Sequence, residues 1–179
     1  MIKWVKLREQ HLEMVMNWRM RPEITRGMYT DPALTMDIQN KWYKQIKDDP
    51  SKMYWVTHRE DVPIGLIYLV NIDYSNKRCV SGGYILKEHR DFESVIANEC
   101  GLLKVAFDIL KLNRIQAEVM SNNKRVAQML ELEGYHVDGV LRQFIFKNGE
   151  YYDVTVLSML KEEWEAGKMR YKYEVEMEL

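Results

Sequence analysis

Along this chain the spacing of apolar residues changes from every second residue to every third or fourth and back again, and that alternation constrains the fold more than composition does. Ile2 to Leu7 alternates as a short strand, and Leu12, Val15, Met16 and Trp18 mark one face of a helix within Glu9 to Trp18. A loop holding Pro22, Gly27 and Pro32 spans Arg21 to Thr35, with room for one helical turn. Thr35 is placed to cap a helix that runs through Lys47 and stops at Asp48-Asp49-Pro50. Three strands follow, Met53 to Arg59, Ile64 to Asn71 and Arg78 to Leu86, parted by the turn sequences EDVP and DYSN. A long helix then begins in KEHRDFESVIANECGL and reaches the neighbourhood of Lys111. Arg114 to Met120 reads as a strand, and Asn123 to Glu133 as a helix with Gly134 at its C′ position. Tyr135 to Lys147 and Tyr151 to Met159 flank Asn148-Gly149, a strong hairpin signal. The order β-α-α-β-β-β-α-β-α-β-β predicts an α/β sheet with helices on its faces.

At 179 residues the chain has the length of one domain, taken as 1–167, with a tail at 168–179. The tail alternates charge and bulk and reads as a solvated or loosely docked end; an extra strand or a subunit contact are the alternatives, so a homodimer stays open. A net charge of −1 provides no basic stripe for nucleic acid. No apolar run approaches the roughly 18 residues of a membrane span, and the N-terminus lacks a signal-peptide core, so a cytoplasmic protein without a membrane partner is expected. Cys79 and Cys100 sit in apolar runs and read as small buried hydrophobes rather than a disulfide. The four histidines are dispersed without ligand spacing, and no metal site is expected. Ser81-Gly82-Gly83, inside a strand, reads as a bulge.

Three longer stretches carry a composite signature: GGYIL, then AFDILKLNRIQAEVMSNN, then ELEGYHVDGVLRQFIFKNGEYYDVTVLSML. Together they resemble the GNAT acyltransferases, which move acetyl groups from acetyl-CoA to amines. The resemblance covers nearly the whole chain and implies a mixed, mostly antiparallel twisted sheet flanked by helices in a single domain. Within the family, NWRMRPEITRGMYTD and EVMSNN look like the branch that acetylates the 4-amino group of a UDP-linked amino-dideoxy sugar.

The resemblance assigns acetyl-CoA, as co-substrate, to the strand end Ile85-Leu86-Lys87, the loop Arg90-Asp91-Phe92-Glu93-Ser94-Val95, and Asn123 and Leu130 of the following helix. Unpaired amides at a helix start are suited to a pyrophosphate. Here Glu93 and Val95 stand where the family carries small residues, and Leu130 where it carries a tyrosine that protonates the departing thiolate. Asp91, Glu93 and Ser94 are equally good residues for capping a helix. Two carboxylates near a phosphate would each repel it by roughly 1 kcal/mol at ~4 Å in water-like surroundings. Tyr135 and Tyr151 are candidate replacement acids by residue type, beside a plain core or rim role.

On the acceptor side, Glu118 points away from its apolar neighbours Ala117 and Val119, either as the base that takes the amine's proton or as an exposed strand carboxylate. The resemblance places Met28, Tyr29 and Tyr84 against the acceptor, with Arg19, Arg26 and Lys124 available to its phosphates. The expected partner is a small-molecule amine, with a nucleotide-linked sugar as first choice. The rivals are a protein N-terminal acetyltransferase similar to the ribosomal-protein enzymes, and a binding module that has lost turnover.

Overall fold

All seven expected strand runs form, and an eighth joins them, in a computed structural model that describes residues 1–167 and 174–179. β1 (Ile2–Lys6) leads through one 3-10 turn to α1 (Leu12–Arg19), the single turn α2 (Pro22–Thr25) and α3 (Met36–Ile46). β2 (Met53–Arg59), β3 (Val62–Asp73) and β4 (Arg78–Ile85) form an antiparallel meander. α4 (Phe92–Leu103), β5 (Arg114–Met120), α5 (Lys124–Leu132), β6 (His136–Lys147) and β7 (Glu150–Leu160) follow, then α6 (Lys161–Ala166) and β8 (Glu176–Met177). The strand order is β6-β7-β5-β4-β3-β2-β1-β8, with only β4–β5 and β1–β8 parallel. This is the mixed, mostly antiparallel α/β sheet expected, and residue parity on each strand divides its side chains between two cores. Ile115, Ala117 and Val119 pack with Leu102, Leu103 and Leu130 under α4 and α5. Val56 and Leu66 pack with Leu12, Val15, Trp18 and Ile46 under α1 and α3.

Several local expectations are corrected. The hairpin before β3 is tighter than EDVP suggested: Glu60 and Asp61 both take positive φ, so the strand starts at Val62. No bulge lies at Ser81-Gly82-Gly83; within the β2–β3–β4 meander the register shifts fall between Thr57 and His58 and between Val70 and Asp73. Gly82 is needed for another reason: a Cβ there would lie 2.5 Å from the Tyr68 ring, which crosses the strand at that point. The long helix does not run unbroken, since Lys104–Ile109 widens into a π turn. α6 had no forerunner in the sequence pattern.

The tail is not a solvated end over the residues described. Val175 is buried in the larger core, and Glu176 and Met177 pair with Lys3 and Trp4 as a parallel edge strand. The Glu178 carbonyl accepts from Trp55 Nε1 at 2.7 Å, and its carboxylate meets Arg8 at 2.8 Å. The remainder of the proposed tail, 168–173, lies outside the described residues.

Candidate functional site

The site follows from one property of the sheet. β4 and β5 pair only over Arg78–Val80 and Arg114–Gln116, and beyond that point the two parallel strands diverge. From Ser81 and from Ala117 onward neither strand has a ladder partner across the gap, although both stay paired on their outer sides. A V-shaped opening with bare backbone edges accepts an extended ligand that pairs as an added strand, which suits a pantetheine arm.

The loop from β4 to α4 closes one end of this opening. Leu86 is fully engaged by the protein: its amide donates to Ile64 O at 2.8 Å, and its carbonyl accepts from His89 N at 2.9 Å. Lys87 is exposed on the 3-10 turn that follows. Arg90 folds back, its Nη2 donating to Ile85 O at 2.9 Å. Asp91 caps α4, accepting from Ser94 N at 2.8 Å and from the Ser94 hydroxyl at 2.7 Å. Arg59, brought alongside by β2, donates to both carboxylate oxygens at 2.8 and 2.7 Å. That pairing, helped by the Ser94 amide, holds the Asp91 carboxyl well below the ordinary range. Asp91, though half-exposed, therefore does not stand unpaired before a phosphate; it is the helix's own anion. Ser94 and Val95 turn inward, while Phe92 (74% exposed) and Glu93 are presented to solvent. The first two helix amides, of Phe92 and Glu93, lie outside the intrahelical ladder and remain suited to an external anion. The chain thus fits acetyl-CoA at the gap, with a phosphate site that its own carboxylate narrows.

The opposite face carries a polar constellation. Tyr29 donates to Glu118 Oε2 at 2.5 Å and Gln116 Nε2 to Glu118 Oε1 at 3.0 Å. Burial and then the Glu118 hydrogen bond push the Tyr29 phenol far above its usual value. Arg19 donates to the carbonyl and hydroxyl of Thr30, both at 3.0 Å, but its Nη1 is enclosed without a partner among the described residues, and so is the hydroxyl of Tyr84. The Arg19 charge acts on both Tyr84 and Tyr68, whose phenols burial raises, and Tyr68 also feels Glu118. Six side chains from α1, the α2–α3 loop, β3, β4 and β5 thus converge.

The loop bearing Met28 and Tyr29 is held in place by the β6–β7 hairpin. Lys147, buried at the end of β6, donates to Thr25 O and Met28 O at 2.5 and 2.9 Å and pairs with Asp31 at 2.8 Å. Asn148 adds a bond to Asp31, and Asn122 one to Arg26 O, both at 2.9 Å. Gly27 lies against Asn123, whose Nδ2 would be 3.2 Å from a Cβ there. Lys147 and Tyr68 were missed in the sequence because a single lysine or tyrosine in a strand has no distinguishing spacing. Arg26 and Lys124 are exposed.

Tyr135 does not join Glu118. It is buried in the larger core with Leu130, and the pairing of β7 with β5 puts it on the sheet face of Ile115, opposite that of Glu118. Its hydroxyl donates to Glu99.

Residues 5–156 match the Acetyltransferase (GNAT) domain. The acetyltransferase PseH of Campylobacter jejuni is 27% identical over 128 residues, 72% of this chain and 78% of that protein. The spermidine N(1)-acetyltransferase of Vibrio cholerae is 25% identical over 156 residues, 86% of this chain and 89% of that one. The crystal structure of the Vibrio cholerae spermidine N-acetyltransferase in complex with CoA and spermine superposes with a TM-score of 0.87 at 22% identity, covering 92% of this chain and 98% of that one.

Proposed function

We propose that this chain, which belongs to the GNAT acetyltransferase family and so uses acetyl-CoA, acetylates the amine of an oxygen-rich anionic acceptor, best represented by a UDP-linked amino-dideoxy sugar. The observation that carries this reading is the pair of enclosed, unpartnered donors, Arg19 Nη1 and Tyr84 Oη, beside Glu118 and Tyr29. Buried donors without acceptors are costly, so a ligand that supplies oxygens there gains what the empty site forgoes. A polyamine supplies only further donors. The nearby acids are also committed: Asp31 to Lys147 at 2.8 Å and Glu88 to Arg21 at 2.7 Å. That leaves Glu118, bonded to neutral partners, as the one carboxylate of the constellation available to a single amine. Similarity to PseH agrees with this choice, and the fold shared with a spermidine enzyme does not decide it.

Bound in the gap between β4 and β5, acetyl-CoA supplies the activated acetyl group. Glu118 takes the proton that the acceptor nitrogen must lose, and Tyr29, held by its short hydrogen bond, keeps the carboxylate aimed. Arg19 and Tyr84 fix the acceptor's oxygens so that its amine meets Glu118. The test is a comparison of kcat/KM for a UDP-linked 4-amino sugar, spermidine and an N-terminal peptide. The nucleotide sugar is expected to lead by about 100-fold or more, the worth of a charge-assisted hydrogen bond left unmade. Preferential turnover of spermidine or peptide would overturn the reading.

A further inference from the structure

Behind the apex of the V, on the face covered by α4 and α5, three proton-bearing side chains meet from three elements. Glu99 comes from α4, Glu133 follows α5, and Tyr135 stands just before β6. Tyr135 is 3% exposed and donates to Glu99; Ser81 also hydrogen-bonds to its phenol. Ser81 is the first β4 residue beyond the last β4–β5 pair, and its hydroxyl reaches Gln116 O across that apex at 3.3 Å. Glu133 is 7% exposed, and both its carboxylate oxygens are enclosed without a partner. Among the described residues the charges acting within the cluster are its own: Glu133 feels Glu99, Tyr135 feels both carboxyls, and Glu99 accepts the Tyr135 hydrogen bond. Burial and then the Glu99 charge push the Glu133 carboxyl up to about 8, and burial raises Glu99. Two like carboxyls in one enclosure retain a proton at neutral pH that neither would keep in water.

Leu130 occupies the position where the resemblance calls for an acid, and it is 4% exposed in the same core. Its carbonyl accepts the Tyr135 amide at 3.0 Å, so the phenol enters that neighbourhood from the strand instead of the helix.

We propose that Tyr135, bridged to the apex by Ser81 and supplied by the Glu99–Glu133 pair, is the proton relay for the leaving sulfur in place of residue 130. As the carbon–sulfur bond breaks, the sulfur takes the proton of the Ser81 hydroxyl, Ser81 takes that of the Tyr135 phenol, and the carboxyl pair returns one to the phenolate. The proton released by the amine goes to Glu118 on the other face and reaches the carboxyl pair again through solvent, so the cycle balances. Glu99 and Glu133 act here as positioning and proton-holding residues. The inference rests on the acetyl-transfer reading.

The test uses Glu133→Gln, Tyr135→Phe, and Tyr135→Phe combined with Leu130→Tyr, each compared with the intact chain. Calorimetry with acetyl-CoA is expected to give the same affinity for all four, which also reports that each is folded. Tyr135→Phe should lower kcat by about 10²-fold, the lower range for a lost general acid, and Leu130→Tyr should restore part of it. In the intact chain kcat should fall as pH rises through about 8, and Glu133→Gln should remove that limb. A readout independent of turnover is stability against pH. A carboxyl whose folded value is raised stabilises the fold below its ordinary pKa and loses that contribution as pH rises through the folded value, so Glu133→Gln should flatten the decline. Unchanged kcat in Tyr135→Phe, or an unchanged alkaline limb and stability profile in Glu133→Gln, overturns the relay. Should Tyr135→Phe fail to fold, Glu133→Gln decides alone, since it removes the titratable carboxyl without altering shape. Absence of acetyl transfer by the intact chain sinks the underlying reading and the relay with it. Transfer with all profiles unchanged sinks only the relay.

Discussion

The two mouths of the V differ in how their polar groups are satisfied. At the cofactor loop, Asp91, Arg59 and Ser94 answer one another, and the helix start carries an anion made from the chain itself. At the acceptor face, Arg19 Nη1 and Tyr84 Oη are enclosed with nothing to receive them. On the proposed assignment, the contrast separates a site that its ligand must open from one whose hydrogen bonds its ligand completes: binding at the first would exchange one anion for another, and binding at the second would add bonds that are missing.

The largest expected effect breaks the acceptor side at its chemistry. Glu118→Gln keeps the shape and the Tyr29 contact but cannot take a proton, and should lower kcat/KM by roughly 10²–10⁴-fold in steady-state assays. A loss of less than tenfold would return Glu118 to the status of a surface carboxylate. Next, Arg19→Met should raise the acceptor KM by about 10–100-fold, the equivalent of one charge-assisted hydrogen bond, while leaving the KM for acetyl-CoA in place. The substitution removes an enclosed donor together with the two bonds to Thr30, so KM is the deciding readout; a falling Tm together with an unchanged KM would make Arg19 structural.

Asp91→Asn sharpens the comparison from the other mouth. Asparagine still caps a helix, but Arg59 loses its charged partner and becomes free for phosphate. Removing one carboxylate at ~4 Å is worth about 1 kcal/mol in water-like surroundings, so acetyl-CoA should bind about fivefold tighter by calorimetry. Weaker binding would show that the self-made cap shapes the phosphate site and does not compete for it. The same variant has a signature in acid. The Asp91 carboxyl lies below its ordinary value in the fold, so its stabilisation is present above about pH 4 and disappears as pH falls through the lower folded value. Asp91→Asn should flatten that acid limb in denaturation monitored against pH.

The smallest effect concerns a region away from both mouths. Val175 anchors the docked tail, and Val175→Ala removes two methyl-sized groups, which should cost roughly 1–2 kcal/mol in denaturant unfolding without altering acetyl-CoA affinity.

Much of the fold was legible before any coordinates, because periodicity and turn chemistry are local. The strands and helices of the sheet came from the apolar spacing, and Asn148 and Gly149 take the positive φ values that a tight hairpin needs. Thr35 caps α3, as its place before the helix suggested. Glu118, Tyr29 and Tyr84 come from the resemblance and Arg19 from its phosphate-binding chemistry, and the structure brings them together.

What remained hidden depended on partners distant in the chain. Asp91 looked like a carboxylate standing before a phosphate; only the β2–β3–β4 registers deliver Arg59 to it across 32 positions. Lys147 looked like a hairpin lysine, until a charge buried beneath the loop of Met28 and Tyr29 required the carbonyls of Thr25 and Met28. The end of the chain looked solvated by its charge, but Val175 found a place in the core and Glu178 found Arg8 and Trp55. The sequence by itself determined the strands, the helices and the kind of sheet, since each needs only neighbours a few residues away. Which charges are answered and which are left open was decided by the tertiary structure, because burial and pairing exist only once the sheet has set distant side chains face to face.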